Sequence, residues 1–169
     1  MNTDAAPLPR SATVPRYARL DIARMERFVR RFAQLALGAA FLSGIASRFG
    51  LWGAGVGYGS FENFVKYTAE VNAFMPAATI PTLAWAATVA ELALGIALVA
   101  GAWPVWSALG SAALLVLFGT AMTISGGPKP ALDYSVFSAA ACALLLALSA
   151  LRDAQDREIT SHQPEARPT

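Results

Sequence analysis

The sequence predicts an all-α, polytopic membrane protein: a bundle of four transmembrane helices, with an amphipathic helix leading into the first and another lying on the outer side. Three observations carry this. The chain is 56% hydrophobic and only 14% charged, whereas roughly a quarter of the residues in a soluble domain are charged. Four stretches approach the ~20 apolar residues that cross a ~30 Å hydrocarbon layer. The basic residues, finally, gather on one side of those stretches.

Residues 1–15 hold three of the ten prolines and little apolar pattern, so they are expected to be disordered. From Arg16 to Arg31 the pattern changes: Ala18, Ile22, Met25, Val29 and Phe32 recur at spacings of three and four, with arginines mostly on the other faces. That is a basic amphipathic juxtamembrane helix, suited to anionic lipid. The same charge pattern suits nucleic acid, but its place beside a membrane span argues against that partner.

The membrane domain is expected over residues 32–151, with spans at Phe32–Ala46, Ile80–Gly101, Val105–Ile124 and Tyr134–Leu151. The first is short, and Arg31 and Arg48 lengthen it by snorkelling to the two interfaces. Arg30 and Arg31 before an apolar run also fit an export leader, even a twin-arginine one; with three more spans following, an uncleaved first helix is the simpler reading.

Between the first two spans, "GLWGAGVGYGS" lacks the spacing of a nucleotide-binding glycine loop. It reads as a flexible loop, with Trp52 and Tyr58 as interface anchors. Next, Phe61, Phe64, Thr68, Val71 and Met75 form an apolar stripe beside the charged stripe of Glu62, Lys66 and Glu70, with Ser60 as N-cap. This external helix either lies on the membrane or closes over the bundle as a lid. Pro76 and Pro81 limit where the second span begins. The link from Gly101 to Pro104 is short enough to make the second and third spans antiparallel neighbours, with Trp103 and Trp106 at the interface. "SGGPKPALD" reads as a turn-rich outer loop, and residues 152–169 as a polar, disordered cytoplasmic tail.

Seven arginines precede the first span and Arg152, Arg157 and Arg167 follow the last, while the two outer loops hold only Arg48, Lys66 and Lys129. The positive-inside rule then places both termini in the cytoplasm. Cys142 is the single cysteine and His162, in the tail, the single histidine. That excludes an intramolecular disulfide, a CxxC redox pair, a cysteine-held cluster and bis-histidine haem within one chain, and no metal site is expected.

One full charge stands inside the second span. Counted from Ile80 at ~1.5 Å per residue, Glu91 lies ~16 Å into the layer, near its midplane, where insertion costs roughly 2.5–3.5 kcal/mol. Ala84, Thr88, Glu91 and Gly95 share one face whose small residues admit a second helix. Partner stripes are Gln34, Gly38, Phe41, Ile45 and Arg48 on the first span, Ser107 and Ser111 with Thr120 and Thr123 on the third, and Ser135, Ser138, Cys142 and Ser149 on the fourth. Either burial neutralises Glu91, or it stays ionised beside a cation, for which Arg48 is the nearest candidate. Counting depth along each helix separately leaves Arg48 ~10 Å away at the usual helical rise, which favours the neutral form. Glu91 is then the candidate catalytic or ligand-binding group, with Thr88 and Arg48 assisting; the plainer reading is an interhelical hydrogen bond. The serines and Cys142 read as packing.

The segments "LGAAFLSGIASRFG", "YTAEVNAFMP" and "AELALGIALVAG", in a four-span layout, resemble the DoxX family of small bacterial membrane proteins, over about Arg31 to Leu151. The most specific part is E-L-x-x-G-x-x-L-x-x-G, met here as Glu91, Leu92, Gly95, Leu98 and Gly101. The basic residue after the first-span "SGI", commonly lysine in the family, is Arg48 here. The resemblance implies a bacterial inner-membrane protein, since the family is similar to the small membrane subunit of a thiosulfate:quinone oxidoreductase and has relatives linked to oxidative-stress complexes. It implies a membrane-embedded redox accessory; no cofactor is evident in the chain itself, so quinone or a redox partner subunit would have to supply the electrons, and a second copy of the chain is a further candidate partner. The motif marks a fold more than a reaction, and the chain lacks the cysteines of a thiol mechanism. The rival expectation is a non-enzymatic scaffold, or a carrier of a small solute or protons.

Overall fold

A computed structural model describes residues 16–53 and 55–161. The expected disorder of residues 1–15, and the tail beyond Ser161 with His162, lie outside the described residues. The fold is all-helical, with α1 (Arg16–Arg48), α2 (Phe61–Val71), α3 (Ile80–Ala100), α4 (Pro104–Gly126), α5 (Pro128–Asp133) and α6 (Val136–Ser161). Four of these, α1, α3, α4 and α6, are long and apolar enough to cross a membrane. This is a multi-pass membrane protein by its architecture.

The juxtamembrane helix and the first span are one continuous helix of 33 residues. No glycine or proline interrupts the chain between Arg16 and Leu37, so nothing breaks the hydrogen-bond ladder where the two were divided. On its N-terminal half the predicted stripe of Ile22, Met25, Val29 and Phe32 is exposed, an apolar face left for lipid.

The most extensive packing is α4 on α6 and α1 on α3. Both contacts rest on small residues. A Cβ built on Gly38 would stand 2.7 Å from Val99 and 3.0 Å from the Gly95 carbonyl oxygen, while one on Gly95 would meet Phe41 and Leu42 at 3.1–3.2 Å. Backbone thus lies almost against backbone, the close approach by which membrane helices gain dispersion contacts without help from a hydrophobic effect. On α6 it is Ala140, Ala143, Ala147 and Ala150 that are buried, against Ala108, Ala112 and Leu115 of α4. The expected serine face of the fourth span is corrected: Ser135 and Ser138 are exposed, and Cys142 and Ser149 only half-buried. Alanine enters a helix contact with no hydroxyl to satisfy, so it takes the interior. Where hydroxyls are buried they turn back on their own helix, Ser111 to the Ser107 carbonyl at 2.7 Å and Thr88 to that of Ala84 at 2.8 Å.

At the α3–α4 reversal, Gly101 (φ 68°) and Trp103 (φ 42°) take left-handed conformations. Pro104 then opens α4 at a position where its missing N–H costs nothing. Trp103 and Trp106 are 75% and 74% exposed, as interfacial anchors require. Two further expectations are corrected. The "SGGPKPALD" loop contains the short helix α5, and the tail expected to be disordered from Arg152 continues α6 for three turns, to Ser161. No proline or glycine lies between Val136 and Ser161, and the Arg157 Nε–H donates to the Asp153 carbonyl one turn back.

On the opposite end of the bundle, Ser60 caps α2 by accepting the Asn63 N–H at 3.2 Å. The helix ends at Val71, so Met75 falls beyond the stripe assigned to it. Phe64 and Thr68 are buried and α2 packs on α1, α3 and α4, while Glu62 and Lys66 face outward and pair at 2.8 Å. Of the two alternatives, the lid is the one the fold adopts.

Candidate functional site

Beneath α2, the three residues singled out from the sequence meet. Arg48, Thr88 and Glu91 are each 4% exposed. The Arg48 Nη2 donates to Glu91 Oε1 at 2.5 Å and its Nη1 to Thr88 Oγ1 at 3.0 Å. Thr88 spends its own proton on Ala84, so toward Arg48 it can only accept. It thereby holds Nη1 of the guanidinium while Nη2 meets the carboxylate.

Their meeting follows from the register of α1 against α3. Because Gly38 sits at Gly95 and Gly44 lies at the Glu91 carboxylate, with a built Cβ 3.3 Å from Oε2, Arg48 is only about one turn, ~5–6 Å, above Glu91. A guanidinium spans that easily. The expected separation of ~10 Å came from measuring each helix from its own start, and the glycine contact overrides it.

The same geometry supplies the cation that the second alternative for Glu91 required. Arginine does not give up its proton in a protein, and breaking a buried pair leaves an uncompensated charge at a cost of about 3–5 kcal/mol. Arg48 and Glu91 thus form a closed, buried pair in which each is the other's counter-group.

Aromatic residues complete the enclosure. The Arg48 guanidinium carbon lies 3.7 Å from the centroid of the Phe64 ring, a cation–π contact strengthened by the exclusion of water. Around Phe64 stand Tyr58 at 5.1 Å and Phe61 at 6.0 Å between centroids, and Phe61 in turn meets Trp85 at 4.4 Å. Tyr58 is thus turned inward rather than anchored at the interface, its N–H held by Ser47 Oγ at 2.8 Å. Burial, followed by the charge of nearby Tyr67, pushes its phenol well above the ordinary value. Trp52, by contrast, is 57% exposed and donates its indole N–H to the Ser43 carbonyl at 3.2 Å. Gly50 (φ 70°) closes this loop, since a Cβ there would lie 2.9 Å from the Gly59 carbonyl oxygen.

Sequence reasoning missed Phe64 as the cover of Arg48 and Gly44 as the seat of the carboxylate. The signal for Phe64 was present in the α2 stripe, but nothing in the stripe shows which end of which helix it caps. Cys142 is a free thiol, half-buried on α6, and has no place in this cluster. Among the described residues no three His, Cys, Asp or Glu side chains gather as metal ligands.

One atom remains unserved: the Arg48 Nε–H is buried and has no acceptor. Chemically, then, the site is a fixed cation with one donor in hand, a carboxylate able to hold a proton once that cation is otherwise neutralised, and a wall of aromatic rings.

Compared with protein-family models, curated proteins and solved structures, the chain has no significant match to any of them.

Proposed function

We propose that this multi-pass protein is a DoxX-type component of the bacterial inner membrane, with both termini cytoplasmic, serving as the membrane subunit or accessory of a quinone-linked redox or oxidative-stress system. The single observation that carries the proposal is the buried Arg48–Glu91 pair with Thr88. An ion pair costs more to place within a membrane than an interhelical hydrogen bond returns, so an ionisable group there is a functional candidate by default. The resemblance stated on Glu91 and on Arg48 picks out the same two residues.

The chemistry of the donor set fits a quinone. Arg48 has a buried donor without an acceptor, and planar aromatic neighbours suit a planar ring. A bound quinone would supply the electron-accepting carbonyls. The chain's own residues would do the rest: Arg48 donates a hydrogen bond, Glu91 holds or releases a proton, Thr88 keeps Arg48 oriented, and the α2 lid excludes water.

The test is purification of the full chain in native lipid discs with mass spectrometry of the co-purifying molecules, Glu91→Gln beside wild type. Quinone enriched over bulk membrane in the wild type and lost in a correctly assembled variant is the expected result. Equal quinone in both, or none in either, sinks it.

A second reading has its own observation in favour. With both side chains 4–5% exposed and Phe64 over the cation, the pair is closed, as a structural latch would be in a scaffold. On that reading Glu91→Gln loosens the bundle and leaves electron flow through any partner unchanged.

A further inference from the structure

At the arginine-rich end of the bundle, far from the Glu91 site, α1, the α3–α4 reversal and α6 enclose a recess of about 270 Å³. Its polar lining is Arg27, Arg30, Arg31, Arg157, Gln34 and Asp153. Four cations thus face one carboxylate.

We propose that this recess is a phosphate-binding site, and that the phosphate belongs to the headgroup of an anionic phospholipid. Asp153 is already engaged by Arg30, whose second partner, Glu26 at 3.4 Å, is largely exposed. Arg31 has only a neutral acceptor, Gln34 Oε1 at 3.3 Å, and Arg157 Nε a backbone carbonyl. Even Arg30 keeps a buried Nε–H without an acceptor. An unbalanced set of guanidiniums around a concave space is the arrangement that binds a phosphate through paired N–H donors. Gly101 makes room at the recess: the Arg31 Nη1 lies only 2.7 Å from where a Cβ on Gly101 would stand, so the guanidinium packs over the reversal that lines the recess.

The lipid is favoured over free phosphate by exposed apolar surface on the same two helices. Phe28 and Phe32, stacked at 6.4 Å, are 70% and 66% exposed on α1, and Leu151 is 44% exposed on α6. Acyl chains beneath a held headgroup would cover these surfaces. Basic pockets between transmembrane helices on the positive-inside face take anionic headgroups in this way.

The experiment is native mass spectrometry of the full chain released from vesicles of equal phosphatidylglycerol and phosphatidylcholine. Wild type is compared with Arg31→Gln, Arg27→Gln and the equal-charge control Arg24→Gln, whose side chain is exposed on α1 and does not line the recess. Retained phosphatidylglycerol should fall roughly tenfold for Arg31→Gln, the loss of about one charge-assisted hydrogen bond, less for Arg27→Gln, and stay unchanged for Arg24→Gln. Asp153→Asn should raise retention by freeing Arg30. In lipid-free detergent, thermal stabilisation by inorganic phosphate that is lost in Arg31→Gln also supports the site; if it occurs without any lipid retention, free phosphate is its ligand. An Arg24→Gln loss equal to that of Arg31→Gln, or equal retention of both lipids, overturns the proposal.

Discussion

Two arginine–carboxylate pairs tie helices together at the two ends of this bundle, and they differ in almost every physical respect. Arg48 and Glu91 have side chains 4% and 5% exposed, whereas Arg30 and Asp153 are 20% and 44% exposed. At the first, one cation meets one anion in a space closed by Phe64; at the second, Asp153 pairs with Arg30 beside a recess that Arg27, Arg31 and Arg157 also line. The first pair is closed off from other partners and so locks the register that the Gly38–Gly95 contact sets. The second has alternatives and can exchange partners with a ligand. Burial, not the residue types, separates a latch from a receptor.

Breaking the comparison at its buried end should have the largest effect. Arg48→Met leaves Glu91 uncompensated, so unfolding in mixed detergent micelles should show a loss of about 3–5 kcal/mol. The double variant Arg48→Met with Glu91→Leu should recover most of it, because the desolvation cost disappears with the charges. If the double variant is as unstable as the single, the pair is not what holds α1 and α3 together.

Next comes the contact that sets the register. Gly38→Ala pushes a methyl against the Gly95 carbonyl oxygen, which cannot rotate away, at a cost of about 1–3 kcal/mol. In a double-mutant cycle its effect should not add to that of Glu91→Gln. Simple additivity would show that register and ion pair are independent.

A smaller effect depends on pH. The phenol of Tyr58, ordinarily titrating at 10.0, is raised in the folded protein by burial and then by Tyr67. The folded state therefore holds its proton more tightly than the unfolded chain. That contribution to stability is complete below pH 10 and is lost as pH rises above it toward the folded value. Stability measured across this range should fall, and fall less in Tyr58→Phe.

The smallest effect belongs to the open end. Asp153→Ala should cost at most ~1 kcal/mol and lose its influence in high salt. A loss as large as that for Arg48→Met would remove the distinction between the two ends.

The spans were legible because a long apolar run has few other uses, and the face Ala84, Thr88, Glu91, Gly95 was legible because small residues around one charge leave only an interior place for it. Ser60 was legible as a cap for the same local reason. What escaped was long-range. The distance between Arg48 and Glu91 depends on how two helices slide against each other, which no count along either helix contains. The α6 interior was misplaced because hydroxyls were given the polar role that a carboxylate and a guanidinium already fill. The tail was misjudged because polarity suggested disorder where the absence of any helix breaker mattered more, and with it the partner of Arg30 was missed.

The 43 residues separating Arg48 from Glu91 also set an order of events. A ribosome adding ~5–20 residues per second delivers Glu91 on the order of 2–9 s after Arg48. For that interval α1 carries a cation whose counter-charge has not yet been made. The cost of an uncompensated charge in the layer favours keeping Arg48 toward water until α3 brings its carboxylate.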